Sequence, residues 1–195
     1  MTEAEKNWTL TFLGKAKRTA YADGSIVPTH VGHATMYQYK NPRYEDLLYT
    51  DTYVGSEMFA GNEVVTRNGH PIFSMSYAGI EFIPFDMCPD ALEVLREALQ
   101  QGPIEYPWNL RGCNGIIVRD TQYCVKYNNM PNYTTGTEFI FATEAFQDYC
   151  DKRNFDYVMD DTVDIIEEIL SVEKEIPNWL LFRCDFTGGF LKGVY

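Results

Sequence analysis

Apolar residues recur at helical spacing near the amino terminus, where Trp8, Phe12, Ala16 and Ala20 share one face. Thr2 followed by Glu5 is a capping-box pattern that starts this helix, and Asp23-Gly24 closes it. From Ile26 to Pro42 no period is sustained, and the stretch reads as a loop in which Thr35 to Tyr39 forms an edge strand. Alternation of apolar and polar residues runs from Leu47 to Val54. Glu63 to Arg67, Asn68-Gly69 and His70 to Tyr77 predict a hairpin with a primed turn, with Phe73, Met75 and Tyr77 facing one way. Pro89-Asp90 opens a second helix through Gln101, stopped at Gly102-Pro103, with Leu92, Leu95, Ala98 and Leu99 on its apolar face. After an irregular loop from Glu105, Gly115 to Arg119 and Gln122 to Asn128 make a second hairpin around Asp120-Thr121, followed by a strand at Glu138 to Phe141. From Thr143 to Glu175 the period is helical in two pieces, carrying Phe146, Tyr149 and Cys150 on the first and Val163, Ile166, Ile169 and Leu170 on the second. Pro177 ends them, and Trp179 to Phe186 is a last strand broken at Gly188-Gly189.

The strands echo one another. Tyr53, Phe59, Gly61, Glu63, Phe73, Tyr77 and Gly79 recur in the same order as Tyr127, Tyr133, Gly136, Glu138, Phe182, Phe186 and Gly188. One extra residue separates the aromatic from the glycine in the second set, and residues 143–178 have no counterpart in the first. The echo therefore predicts an inserted helical segment between two strands that would otherwise form a hairpin. It predicts a single α+β domain over residues 1–195: a curved antiparallel β-sheet built from two similar halves, packed with the N-terminal helix, the central helix and the insertion.

Charge sharpens the insertion. The formal charge is -12, and residues 144–175 hold eleven acids against three bases. Solvated helix faces account for such a run. The alternative is an acidic surface for a protein partner, centred on Asp160, Asp161, Asp164, Glu167 and Glu168. The net charge argues against direct nucleic-acid binding, which needs clustered Lys and Arg. The N-terminus carries early acids and no apolar run, so no signal peptide or membrane span is expected, and a cytoplasmic protein is. Five widely spaced cysteines with no C-x-x-C pair read as buried thiols.

Candidate chemistry is sparse. Glu63 and Glu138 hold equivalent places in the two halves, so they could pair for acid-base work or a cation, although a structural bond to backbone amides is the plainer reading. Asp51 lies between Tyr49 and Tyr53 on one strand face, so it is either solvent-facing beside two exposed rings or a polar anchor in an aromatic pocket, and the second is the arrangement of a small-ligand site. His30 and His33 lack a third ligand, and no metal or cofactor is expected. Cys113 sits on a Gly-rich turn with no local base. No nucleophile elbow, phosphate loop or dinucleotide fingerprint occurs, so no residue set argues for an enzyme.

The stretches Phe12 to Ala22, Gly32-His33, Tyr49 to Gly55, Phe59 to Glu63, Pro71 to Gly79 and Cys184 to Lys192 resemble an uncharacterised bacterial domain family. Its members occur alone or C-terminal to helix-turn-helix regulators. The resemblance covers residues 12–79 well and 124–140 and 182–192 more loosely, and it does not extend to residues 143–178. It implies an accessory or sensing role, although the single N-terminal helix here is followed by no basic recognition helix. The expected function is non-catalytic binding of a small molecule by Asp51, Tyr53, Glu63 and Tyr77, echoed by Tyr133 and Glu138. The alternative is an inhibitor or immunity-like factor that uses the acidic insertion, mimicking nucleic acid toward a basic partner. An aromatic-rich sheet edge also offers a surface for a homodimer.

Overall fold

The computed structural model describes residues 1–22, 25–84, 86–101, 111–112, 114–130, 132–153 and 162–191. Within them, helix α1 spans Glu3–Lys17 and is continued by a wider turn, Arg18–Ala22. Its capping box is formed: the Glu5 amide donates to the Thr2 hydroxyl at 3.2 Å and the Thr2 amide donates to the Glu5 carboxylate at 2.7 Å. Strands β1 (Thr29–Val31), β2 (Ala34–Tyr39), β3 (Leu47–Gly55), β4 (Met58–Arg67) and β5 (His70–Glu81) follow. Helix α2 (Pro89–Gln101) separates them from β6 (Ile116–Val118), β7 (Thr121–Met130) and β8 (Tyr133–Ala142). Helices α3 (Thr143–Arg153) and α4 (Thr162–Val172) precede the last strand, β9 (Leu180–Phe190).

The nine strands of the described residues form one antiparallel sheet in the order β1-β2-β3-β4-β5-β9-β8-β7-β6. The two halves, β3-β4-β5 and β9-β8-β7, meet at the β5–β9 pair. The echo seen in the sequence becomes a row across the sheet: Tyr53 pairs with Gly61, Gly61 with Tyr77, Tyr77 with Phe186, Phe186 with Gly136 and Gly136 with Tyr127. Each glycine is there because a ring crosses it. A Cβ on Gly61 would lie 2.4 Å from the Tyr77 ring, and one on Gly136 would lie 2.4 Å from the Phe186 ring.

Alternation along the strands divides the interior in two. On one face, Tyr49, Val65, Phe73, Met75, Tyr123, Val125 and Ile140 pack under α1 and α2. On the other, Cys124, Phe139 and Phe141 pack under α3 and α4, with Phe146, Cys150, Val163, Ile166, Ile169 and Trp179. The helical segment is thus the cover of the second face at the β7–β8 end.

Several expectations are corrected. Thr35 to Tyr39 does form a strand, but only part of it is an edge: β1, joined through Gly32 at φ 62°, covers Ala34–Met36, and Tyr37–Tyr39 pair with β3 alone. Gly188-Gly189 does not break β9, which runs through both residues. Gly188 sits against the Met75 side chain, where a Cβ would come within 2.6 Å, so the glycine permits the pairing. The apolar face of α2 is turned toward Ala91, Val94, Leu95, Ala98 and Leu99, and Leu92 is half-buried. Trp8 is 39% exposed and packs at a tilt against Tyr44, with ring centroids 4.4 Å apart. The primed turn holds, with Asn68 at φ 50° and Gly69 at φ 82°. The helix stops at Asp23-Gly24 and Gly102-Pro103 and the Cys113 turn lie outside the described residues. No described helix is long and apolar enough to cross a membrane.

Candidate functional site

The α1/α2 face of the sheet carries a buried cluster of charges. Glu63 on β4 and Glu138 on β8 point to this same face, 3% and 0% exposed. Arg111 lies between them. Its Nη2 donates to Glu138 Oε1 at 2.5 Å, its Nε donates to both Glu138 oxygens at 3.1 and 3.2 Å, and its Nη1 reaches Glu63 Oε1 at 3.5 Å. Lys17, at the last turn of α1, places Nζ 2.8 Å from Glu63 Oε2. Tyr123 donates to Glu138 Oε2 at 2.6 Å.

Arg111 belongs to no helix or strand, so its position must be imposed. Two phenols on β7, four residues apart and therefore on one face, do this. The Arg111 amide donates to the Tyr127 hydroxyl at 3.2 Å, which in turn donates to the Gly112 carbonyl at 3.0 Å, and the Gly112 amide donates to the Tyr123 hydroxyl at 3.1 Å. Gly112 is pressed between Ala98 of α2 and the Tyr123 ring, where a Cβ would come within 2.9 to 3.0 Å of both. Burial works against the Arg111 charge, but the Glu138 and Glu63 carboxylates outweigh it and hold the guanidinium protonated. Burial pulls the Lys17 ammonium down, opposed by Glu63.

Beside this cluster is a cavity of about 250 Å³. Asp51, Tyr53, Phe59, Tyr77, Leu95, Leu99 and Phe182 line it together with Lys17, Glu63 and Arg111. Tyr77 donates to Asp51 Oδ1 at 2.8 Å, and its ring lies 5.5 Å from the Arg111 guanidinium carbon. Phe59 stacks on Phe182, and Tyr37 on Tyr53. Burial, reinforced by the Glu63 charge, raises the Asp51 carboxyl from its ordinary 3.8 to about 7. Burial and then Asp51 push the Tyr77 phenol upward.

The raised Asp51 has a measurable consequence. Between about pH 4 and 7 the folded protein holds a proton at Asp51 that the unfolded chain has released. This group therefore favours folding in acid, and that contribution is lost as pH rises through about 7. Asp51→Asn, which removes the charge, is expected to stabilise the protein at pH 8 by about 2–4 kcal/mol. The corresponding rise in Tm is roughly 5–10 °C. The gain should shrink at pH 5; a lower Tm at pH 8 would show that Asp51 is a structural anchor.

Four of the residues singled out in the sequence, Asp51, Tyr53, Glu63 and Tyr77, line this one cavity. Glu138 lies behind it, against Arg111. Tyr133 does not join them: it is 46% exposed at the start of β8, opposite Gly189. Lys17 and Arg111 escaped the sequence reading. Lys17 shares a helical spacing with Leu10, Leu13 and Ala20, all of them buried, but the flanking Lys15 and Arg18 disguise it as part of a basic helix end. The pairing of Glu63 with Glu138 does bring both to one side of the sheet, but each is bonded to a cation, which opposes their exchanging protons with a substrate.

Of the acids proposed for a partner, Asp164, Glu167 and Glu168 lie exposed on α4, and Asp160 and Asp161 fall outside the described residues. Asp164 pairs with Lys126 on β7. Glu167 lines a second, polar concavity with Lys126, Asn128, Thr135, Thr137 and Asp185. The histidines are all exposed, and His70 lies in a different hairpin from His30 and His33. Of the cysteines, Cys124, Cys150 and Cys184 are buried free thiols and Cys88 is partly buried.

Fold and site together define an α+β domain in which one face of a single antiparallel sheet carries an ion-braced pocket. The chain belongs to a domain family of unknown function (DUF5680), whose model matches residues 51–150. The match takes in Asp51, Glu63, Tyr77, Arg111 and Glu138 and leaves out Lys17 and β9. It extends into α3, so the family pattern does not stop at residue 143. No curated protein and no solved structure matches the chain.

Proposed function

We propose that this domain binds a small molecule without transforming it, in the cavity between the sheet and the α1 and α2 helices. What supports the reading is a concave space of about 250 Å³ with apolar and aromatic walls and a few placed polar groups, Asp51 beside the Lys17, Glu63 and Arg111 cluster. The wall is rigid, because the neighbouring ion cluster ties α1, β4, β8 and residue 111 to one another. A domain of this kind suits an accessory or sensing role, the role implied by the resemblance to bacterial domains that follow helix-turn-helix regulators. Occupancy would then be reported through α1 and α2.

Thermal stability measured against a library of small metabolites tests this. A ligand at a hundred times its Kd stabilises by about 2.7 kcal/mol. Hits are expected, and they should vanish in Leu99→Trp, which fills the cavity from α2 without touching the ion cluster. Hits that persist in that variant, or a library that moves nothing, would remove the proposal.

A further inference from the structure

We propose that the pocket receives a small organic cation, a protonated amine with a short apolar body, and that Asp51 is its counter-charge. This rests on reading the cavity as a ligand site and adds the chemical class of the ligand. The balance of buried charge carries it. Asp51, Glu63 and Glu138 are three carboxylates on one face of the sheet, each less than 10% exposed, and the buried cations beside them are Lys17 and Arg111. Lys17 lies 2.8 Å from Glu63, and Arg111 forks Glu138 and reaches Glu63. Asp51 is left with a neutral partner. Tyr77 donates to its Oδ1 at 2.8 Å, and Lys17 and Arg111, bonded to Glu63 and Glu138, act on it through space.

A carboxylate in that position is costly unless a positive charge joins it. The cavity that Asp51 lines is where such a charge can come from. Its walls, Tyr53, Phe59, Tyr77, Leu95, Leu99 and Phe182, suit an apolar body, and aromatic faces attract ammonium groups. An anion would find the reverse: the nearby cations are already engaged and Glu81 adds a further acid to the lining. A metal ion calls for several oxygen or nitrogen ligands, and the described residues contain no cluster of three or more His, Cys, Asp or Glu able to hold one. The cavity lies just below the range of about 300–1,000 Å³ usual for drug-sized ligands, so the amine is small.

The groups facing Asp51 are Lys17 from α1, Tyr37 from β2, Tyr49 on its own strand, Glu63 from β4, Tyr77 from β5 and Arg111. Among these Asp51 acquires its charge around neutrality, so ammonium binding should strengthen between pH 6 and pH 8.

The test uses three probes that share a phenyl ring and differ in charge: phenethylammonium, phenethyl alcohol and phenylacetate. Each is titrated into the full chain and into Asp51→Asn at pH 6 and pH 8, followed by amide chemical shifts. Phenethylammonium should bind at least tenfold more tightly than phenethyl alcohol at pH 8 and lose about tenfold at pH 6. Asp51→Asn should erase the preference and keep the affinity for phenethyl alcohol, a cooperative melt confirming that the variant is folded. If phenethyl alcohol or phenylacetate occupies the pocket as tightly as the ammonium probe, the cation assignment is overturned and the ligand-site reading survives. If none of the three perturbs the pocket at its solubility limit, both fall together.

Discussion

Arg111→Met is expected to destabilise the protein by about 3–5 kcal/mol, the cost of leaving a buried carboxylate without its ion-pair partner. Glu138 is 0% exposed and receives three hydrogen bonds from this guanidinium and one from Tyr123. Methionine fills a similar volume and offers no donor, so Glu138 would either remain charged with no cation beside it or take up a proton. Glu63 would keep Lys17. Most of the loss therefore comes from Glu138, and the double variant Arg111→Met, Glu138→Gln should recover at least half of it, since a neutral amide can still accept from Tyr123. Arg111→Lys should fall between, because a single ammonium cannot fork Glu138 and reach Glu63 together. Urea denaturation of the four proteins measures this. A loss below about 1 kcal/mol for Arg111→Met, or a double variant no better than the single, would mean that the cluster is not a stability device.

The sequence carried the framework of this site but not its cations. Alternation along β3, β4 and β5 put Asp51, Tyr53, Glu63 and Tyr77 on one face because a strand's period of two leaves no freedom once the Asn68-Gly69 turn fixes the register. The echo placed Glu63 and Glu138 as counterparts, and the sheet unites them. Arg111 could not be found in this way. It follows an aperiodic stretch, and what fixes it is a pair of phenols on β7 that are silent until the tertiary structure exists. Lys17 sits in Lys15-Ala16-Lys17-Arg18, which reads as an exposed basic helix end. Only the need for a counter-charge, visible after Glu63 is known to be buried, explains a lysine among Leu10, Leu13 and Ala20. Tyr133 illustrates the opposite error. It matches Phe59 in the echo, but the extra residue before Gly136 displaces it from the equivalent row, and it ends at the exposed start of β8.

Deletion of residues 143–178, joined by a short Gly-Ser linker, is expected to give no cooperatively folded protein. The Ala142 amide donates to the Trp179 carbonyl at 2.8 Å, so the two ends of the segment are already neighbours and closing the chain is not the obstacle. What the echo does not reveal is that the second face of the sheet depends on the segment. Phe146, Cys150, Val163, Ile166 and Ile169 are buried against Cys124, Phe139, Phe141, Trp179 and Leu180, with the Phe146 ring 4.8 Å from both Phe141 and Trp179. At about 1.5–3 kcal/mol per buried large apolar side chain, this layer contributes on the order of 10 kcal/mol, against a whole-domain stability of about 5–15 kcal/mol. The uncovered strands would also present an apolar patch able to drive association. Reversing charge on the outer side of α4, at Asp164, Glu167 and Glu168, should by contrast change stability by no more than about 1 kcal/mol in total, because these groups are exposed. Circular dichroism and urea unfolding of the two variants separate the roles. A deletion variant that unfolds cooperatively near the midpoint of the full chain would make α3 and α4 a true addition to a self-sufficient sheet. An unfolded deletion beside a stable charge-reversal variant makes the same segment structural on its inner face, and leaves its acids as the part that can be altered to ask whether a protein partner reads them.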